Sequence, residues 1–329
     1  MDALEEKHID TSRGLHYRYY ASSGSSSPYT LLLVHGFPDS ANLYQFAIPH
    51  LLKTGLNIIV PDCLGYGGTS KPTDPAQYEW SLMTADLVDI LEHEKITSGV
   101  IPVGHDWGSA LAQRFYMLQK SRCVGLITLN VALLPPSGTP FDVDAINKYT
   151  EQALGYPSYA YWKLFLPESG VALMESRLES MWHVMHGDAE DWMKKMFCTY
   201  GAMQEFLEQD RRVALKPYRD GERLMREWIE EKRQGGLMAP TCWYRAMAHG
   251  HQAETEKTLD PKVVHPYLFV GCDGDAVCRT DAIEGPKKAG LVPDLTVKEV
   301  QSGHWCLYEK PDEVASIMVD WLTQKGFAN

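Results

Sequence analysis

The sequence predicts an α/β fold in which a mostly parallel sheet, flanked by helices, is interrupted by one long helical insertion. Three observations carry that reading. Short, continuous apolar runs recur, and each ends abruptly in glycine, proline or aspartate. Stretches with a helical apolar period lie between them. The alternation stops near residue 135 and resumes near residue 261.

The elements follow in order. His16-Tyr17-Arg18-Tyr19-Tyr20 alternates, as an antiparallel edge hairpin does, and Ser22 to Pro28 is a polar turn. Tyr29 to Val34 is a continuous apolar run, expected of a strand buried on both faces, and it ends in His35-Gly36-Phe37-Pro38-Asp39. Asn57 to Val60 ends in Pro61-Asp62, and Gly99 to Val103 ends in Gly104-His105-Asp106. Val124 to Leu129 follows. Helices are predicted between these runs at Leu43 to Leu52, Ser81 to His93 and Gly108 to Leu118. Strands alternating with helices imply right-handed crossovers and a parallel sheet.

Beyond Pro135-Pro136-Ser137-Gly138 the chain becomes rich in Trp, Met, Tyr and Glu and reads helical. Helices are expected at Val171 to Met185, Asp188 to Met196, Met203 to Asp210 and Gly221 to Lys232. Strands resume at His265 to Val270 and Leu295 to Val300, and Asp312 to Lys325 closes the chain as a helix. The organisation read from this is core at 1–135, a helical cap at 136–260, and core again at 261–329.

Composition narrows the function classes. A net charge of -12 opposes binding to nucleic acid or an anionic membrane. The seven cysteines are scattered without a Cys-x-x-Cys pair, which fits free thiols in a reducing compartment. The acidic start, Met1-Asp2-Ala3-Leu4-Glu5-Glu6, does not read as a secretory signal. No run approaches the ~18 apolar residues of a membrane span. The expectation is a soluble, cytoplasmic protein, monomer or homodimer.

Reactive groups in parallel sheets collect where strands end at their carboxyl edge. Asp106 stands between a predicted strand and helix with Gly104 and Gly108 at -2 and +2, the spacing of a sharp turn that exposes a nucleophile. The plain alternative is a helix N-cap. His304 in Ser302-Gly303-His304-Trp305 follows the last strand, and Asp275 in Gly271-Cys272-Asp273-Gly274-Asp275 follows the one before it. Asp275 is the expected orienter of His304, with Asp273 as its competitor. The chain order is nucleophile, acid, histidine.

Taken together, His35-Gly36-Phe37-Pro38, Asp62-x-x-Gly65-Tyr66-Gly67-Gly68-Thr69-Ser70, Gly104-His105-Asp106-Trp107-Gly108 and Gly303-His304-Trp305 make the core resemble the α/β-hydrolase fold. That resemblance implies a mostly parallel eight-stranded sheet with an inserted α-helical cap. Within the fold, aspartate at the turn resembles the soluble epoxide hydrolases, enzymes acting on ether bonds, and the related dehalogenases, rather than esterases. Pro240-Thr241-Cys242-Trp243-Tyr244-Arg245 resembles the cap stretch that holds one of two epoxide-binding tyrosines. This makes Tyr244 one of the pair. The other falls in Tyr159-Ala160-Tyr161-Trp162, where Tyr161 is preferred and Tyr159 stays open.

The resemblance implies that Asp106 attacks an epoxide carbon, that Tyr161 and Tyr244 protonate the departing oxygen, and that a His304–Asp275 pair activates water against the resulting ester. An oxyanion hole is expected from the amides of Trp107, placed by the turn, and Phe37, added by the resemblance. Phe37, Pro38, Trp107, Tyr161, Trp243, Tyr244 and Trp305 are expected to line the substrate site. The substrate would be a small hydrophobic epoxide, with water as co-substrate and a vicinal diol as product. No cofactor is implied. His183-x-x-His186 and His249-x-His251 lack a third metal ligand nearby, and Gly65-Tyr66-Gly67-Gly68 lacks the Lys and Ser/Thr of a phosphate loop. The alternatives are a dehalogenase using the same aspartate, a biosynthetic epoxide-opening enzyme, and a non-catalytic interaction protein. The cap from Met181 to Pro217 matches nothing that can be placed.

Overall fold

The computed structural model describes residues 1–328. An eight-stranded sheet runs in the order β1-β2-β4-β3-β5-β6-β7-β8. Its strands are β1 (Glu5–Asp10), β2 (His16–Ala21), β3 (Thr30–Val34), β4 (Asn57–Pro61), β5 (Val100–His105), β6 (Leu126–Leu129), β7 (Tyr267–Cys272) and β8 (Leu295–Val300). β1 and β2 form an antiparallel hairpin, β2 pairs antiparallel with β4, and every other neighbour is parallel. The continuous apolar runs are buried along their whole length in β3, β5, β6 and β7, because helices cover both faces there. β8 lies at the sheet edge and is mostly solvent-facing.

Register fixes where the strands end. Val34 pairs with Gly104, His105 with Leu129, and Cys272 with Val300. The loops after β3, β5, β7 and β8 therefore emerge from one edge.

Two predicted helices are broken. Leu43 to Leu52 is instead a 3₁₀ turn at Ala41–Tyr44, a short helix at Ile48–Leu51 and a 3₁₀ turn at Leu52–Thr54. Pro49 sits in the first turn of that short helix, where it lacks an N–H and cannot continue a preceding helix. Val171 to Met185 divides into Glu168–Ser176 and Leu178–His186 around Arg177. The Ser176 hydroxyl donates to the Leu173 carbonyl at 2.8 Å, a local bond that competes with the helical ladder.

Several short helices and two long ones lie outside the predicted stretches. Val143–Leu154 is capped by Asp142, which accepts from the amides of Asp144 and Ala145. Met238–Ala248 carries Trp243 and Tyr244. All named elements between β6 and β7 are helical, and no described helix is long and apolar enough to cross a membrane. All seven cysteines are free thiols.

A buried ion pair ties the two ends of this helical segment to the core. Arg114, on the helix Trp107–Leu118, meets Glu256 through Nε at 2.6 Å and Nη2 at 3.1 Å. The same guanidinium donates to the Leu134 carbonyl at 2.7 Å, and Glu256 accepts the Ser137 amide at 2.6 Å. The chain leaving the sheet and the chain returning to it are thus clipped at one point. Glu256→Ala leaves a buried guanidinium unpaired, and is expected to destabilise the fold by about 3–5 kcal/mol, read as a lower urea midpoint. An unchanged midpoint would show the clip to be energetically idle.

Candidate active site

The chain turns sharply after β5. Asp106 adopts φ 54°, ψ -127°, a conformation that L residues rarely take. The flanking glycines have physical reasons. A Cβ on Gly104 would lie 2.2 Å from the Gly108 carbonyl oxygen, and one on Gly108 would lie 2.0 Å from that of Val34. A Cβ on Gly36 would meet Asp106 Oδ1 at 2.4 Å. The turn closes only with no side chain at these positions.

Asp106 holds the N-cap position of the following helix by its backbone alone. Its carboxylate makes no capping bond to the helix that begins at Trp107. Oδ1 instead accepts the Phe37 amide at 2.8 Å, and Oδ2 faces His304 Nε2 at 3.5 Å.

β7 and β8 deliver the other two members. His304 Nδ1 donates to Asp275 Oδ2 at 2.7 Å. Asp275 also accepts the amides of Val277 at 2.9 Å and Cys278 at 2.8 Å, and Asn130 Nδ2 at 3.0 Å. Asp273 is turned elsewhere, and its Oδ1 accepts the Ser302 amide at 3.0 Å. Burial alone would raise the Asp275 pKa, but the His304 charge, the His304 hydrogen bond and the Cys278 and Asn130 donors together hold it at about 2. Burial would likewise lower His304, but the Asp275 charge and the Asp106 and Asp275 hydrogen bonds outweigh it and raise the pKa well above its ordinary value. His105 Nε2 lies 2.8 Å from the His304 carbonyl, and burial, then repulsion from His304, lowers its pKa to about 4.

The two cap tyrosines face Asp106. Tyr244 stands in a ring of aromatic edges, 5.0 Å from Trp107, 5.0 Å from Trp162, 5.1 Å from Phe165 and 5.3 Å from Phe37. The Tyr161 ring is 6.0 Å from that of Tyr244. Burial pushes both phenols up strongly. The neighbouring phenol then adds to the shift at Tyr161, and the Asp106 charge adds at both. Both stay protonated and able to donate. Tyr159, the other option, packs on Phe141 and Trp162 and does not reach the Asp106 cavity.

That cavity is narrow, about 20 Å³, and Phe37, Asp106, Tyr161, Tyr244, His304 and Trp305 are on its wall. Pro38, Trp107 and Trp243 were expected there and are not. The Pro38 carbonyl accepts the Trp228 indole at 3.1 Å, and the Trp243 indole donates to the Leu64 carbonyl at 3.0 Å, so both are tied into cap–core packing. The Trp107 ring packs behind Tyr244, between Trp80 and Trp162.

Met185, Met193 and Phe197 add to the wall from the part of the cap that sequence left unplaced, and Val277 adds to it from the core. A wider cleft of about 620 Å³ adjoins the cavity and shares Met185, Met193, His304 and Trp305 with it. The paired histidines go elsewhere: His183 Nδ1 lies 2.8 Å from the Val213 carbonyl and His186 Nδ1 lies 3.1 Å from the Tyr218 hydroxyl.

Two further residues were missed. Asn130 has φ 68° after β6 and bridges Asp275 and the His304 carbonyl, the latter at 2.8 Å. An asparagine at a strand end, where it tolerates positive φ, was the available signal. Asp39 accepts the Trp305 indole at 3.0 Å and the Tyr308 hydroxyl at 2.8 Å, which fixes the Trp305 wall. Burial lifts the Asp39 pKa to about 6 against those two donors.

The comparisons agree with this architecture. A family model described as alpha/beta hydrolase fold matches residues 29–311. The chain is 28% identical to epoxide hydrolase A of Mycobacterium tuberculosis, over 98% of this chain and 98% of that protein. It is 25% identical to epoxide hydrolase srdG of Neurospora crassa, over 95% and 93% of the two chains. Among solved structures it superposes on epoxide hydrolase A from Mycobacterium thermoresistibile with a TM-score of 0.79 and 23% identity, covering 97% of this chain and 98% of that one.

Proposed function

The chain belongs to the α/β hydrolase fold family, and from that premise we propose that it is an epoxide hydrolase working through an ester on Asp106. The observation that carries this reading is the pairing across one cavity: a carboxylate on the sharp turn after β5 faces two protonated phenols, Tyr161 and Tyr244, on the cap. The names of the relatives point to the same activity. Residues 136–260 act as the cap domain, over a core formed by 1–135 and 261–328, with residue 329 of the expected core outside the described residues.

An Asp106 oxygen attacks one ring carbon of the epoxide. A C–O ester bond forms and the strained ring C–O bond breaks. The departing oxygen takes a proton from the tyrosine pair and becomes a hydroxyl. His304 then takes a proton from water, and the water oxygen adds to the Asp106 carbonyl carbon. The Phe37 amide already donates to Asp106 Oδ1 and is placed to hold the oxyanion. The Trp107 amide, first of its helix and free of an intrahelical acceptor, is the second donor. Collapse expels the diol oxygen, which takes the proton of the added hydroxyl and leaves Asp106 a carboxylate, while the proton held by His304 returns to the tyrosine pair. The alkylation step itself supplies the base: it removes the Asp106 carboxylate, whose hydrogen bond is one of the causes that hold the His304 pKa up.

Isotope placement tests this directly. In a single turnover in heavy-oxygen water, the heavy atom enters the Asp106 carboxylate and the first diol is unlabelled, because the diol oxygen comes from Asp106. Label in that first diol would mean that water attacks the epoxide directly. A haloalkane control that releases halide while epoxides yield no diol would favour the dehalogenase chemistry of the same aspartate.

Tyr161→Phe and Tyr244→Phe are each expected to slow alkylation by about 10²–10³-fold, the usual scale for one donor to a developing oxyanion. Ester hydrolysis should be spared, so steady-state ester occupancy falls. Rapid quench with mass detection reads this. Loss confined to one variant would assign the proton to that tyrosine alone. The narrow cavity predicts a substrate that is small or slender at its reacting end, and the seven free thiols fit a cytoplasmic location.

A further inference from the structure

Beside Asp106, His304 and the two phenols stands one further polar side chain, Cys278, in contact with His304. Cys278 Sγ, a carboxylate oxygen of Asp106 and a ring nitrogen of His304 all lie within 4.8 Å of one another. Among the described residues this is the one group of three or more such side chains close enough to hold a metal ion. We propose that Asp106, Cys278 and His304 form an inhibitory site for a thiophilic divalent cation of the zinc class, resting on the reading of Asp106 and His304 as nucleophile and base.

The ligand set is chemically selective. Carboxylate, thiolate and imidazole together suit Zn²⁺ or Cd²⁺ and poorly suit Mg²⁺ or Ca²⁺, which prefer oxygen donors throughout. Three protein ligands leave a fourth, tetrahedral position for water.

The support around the ligands is already built. His304 Nδ1 donates to Asp275, so Nε2 is the ring nitrogen turned to Asp106 Oδ2 at 3.5 Å, free to bind a cation once its proton has left. A carboxylate behind a histidine is the usual outer support of a metal-bound imidazole. Asp275 also binds the Cys278 amide at 2.8 Å, so the segment carrying the thiol is held by the same carboxylate. Ligand atoms on a tetrahedral zinc stand roughly 3.3–3.8 Å apart, as bond lengths of 2.0–2.3 Å require. The Asp106–His304 spacing lies in that range, and the thiol reaches it by a side-chain adjustment of about 1 Å or less. On binding, the thiol proton and any proton on His304 leave to solvent. The ion then occupies both the attacking oxygen and the basic nitrogen, and both half-reactions stop.

The test uses purified protein in a non-thiol reductant, titrated with ZnCl₂ during epoxide hydrolysis and with CdCl₂ in the ultraviolet. Zinc is expected to abolish hydrolysis, and a chelator to restore it. Cys278→Ala, measured against its own uninhibited rate, should need on the order of 10–100-fold more zinc for half inhibition, the scale on which loss of one supporting group weakens a metal site. The thiolate-to-cadmium absorption of the wild type should exceed that of Cys278→Ala and of His304→Gln by one site. Equal zinc sensitivity in wild type and Cys278→Ala, or equal cadmium absorption in the three proteins, overturns the proposal. The absorption arm needs no turnover, so it stands even if the protein hydrolyses no epoxide.

Discussion

Asp106→Asn is expected to lose diol formation by on the order of 10⁶-fold, the scale seen when a triad nucleophile is removed. The replacement keeps an acceptor for the Phe37 amide, so the turn after β5 retains the hydrogen bond that fixes it. It removes the charge that attacks carbon. No other described carboxylate takes its place, because Asp275 is saturated by His304, Asn130 and two amides. Diol measured by chromatography, with folding checked by circular dichroism, reads the outcome. Activity within about 10²-fold of wild type would mean that water attacks the epoxide under general-base assistance alone, and the ester mechanism would fall.

His304→Gln is expected to separate the two halves of the reaction. Alkylation needs no base, so one equivalent of epoxide should add to Asp106 at a rate near that of the wild type. Hydrolysis of the ester should slow by about 10²–10⁴-fold, the usual contribution of a general base. Intact-mass spectra should show the protein plus one substrate, with peptide mapping to Asp106. No mass increase with any reactive epoxide would count against the whole scheme.

The same variant should change two pH dependences. In the wild type, kcat should fall as pH drops through the His304 pKa of the alkyl-enzyme, since the imidazolium cannot accept a proton. The resting enzyme has a His304 pKa raised above its unfolded value near 6.5. Protonation of His304 therefore contributes stability that is fully present below about pH 6.5 and is lost as pH rises through the folded value. Asp275 runs the other way, because its folded pKa of about 2 lies below the ordinary aspartate value of 3.8. Its contribution is present above pH 3.8 and is lost as pH falls towards 2. The melting-temperature gap between wild type and His304→Gln should accordingly narrow on going to alkaline pH. A gap that widened there would reverse the assigned charge.

The parallel strands were legible because burial on both faces demands uninterrupted apolar runs, and β3, β5 and β7 carry them. The turn at Asp106 was legible because three backbones converge on Gly36, Gly104 and Gly108, and only glycine fits there. The helix Met238–Ala248 was missed, though Tyr244 on it was found through its local motif. That helix is buried on most sides, so its sequence lacks the polar face that gives a helical period. Trp243, expected at the substrate site, lies off the cavity wall for a related reason. A motif tells which residues stand together, whereas the side of the helix facing the cavity depends on the crossing of cap and core.

What the sequence by itself determined is local: strands, sharp turn, the chain order of Asp106, Asp275 and His304, and the chemistry those residue types allow. What only the tertiary structure decided depends on contacts between distant segments. The choice of Asp275 over Asp273 rests on which carboxylate β7 and β8 aim at His304, the choice of Tyr161 over Tyr159 on which ring the cap turns inward, and the entry of Met185, Met193 and Phe197 into the wall on how the helices pack. Neighbouring residues of one type are equivalent until a fold gives each a direction, and direction is set by long-range packing.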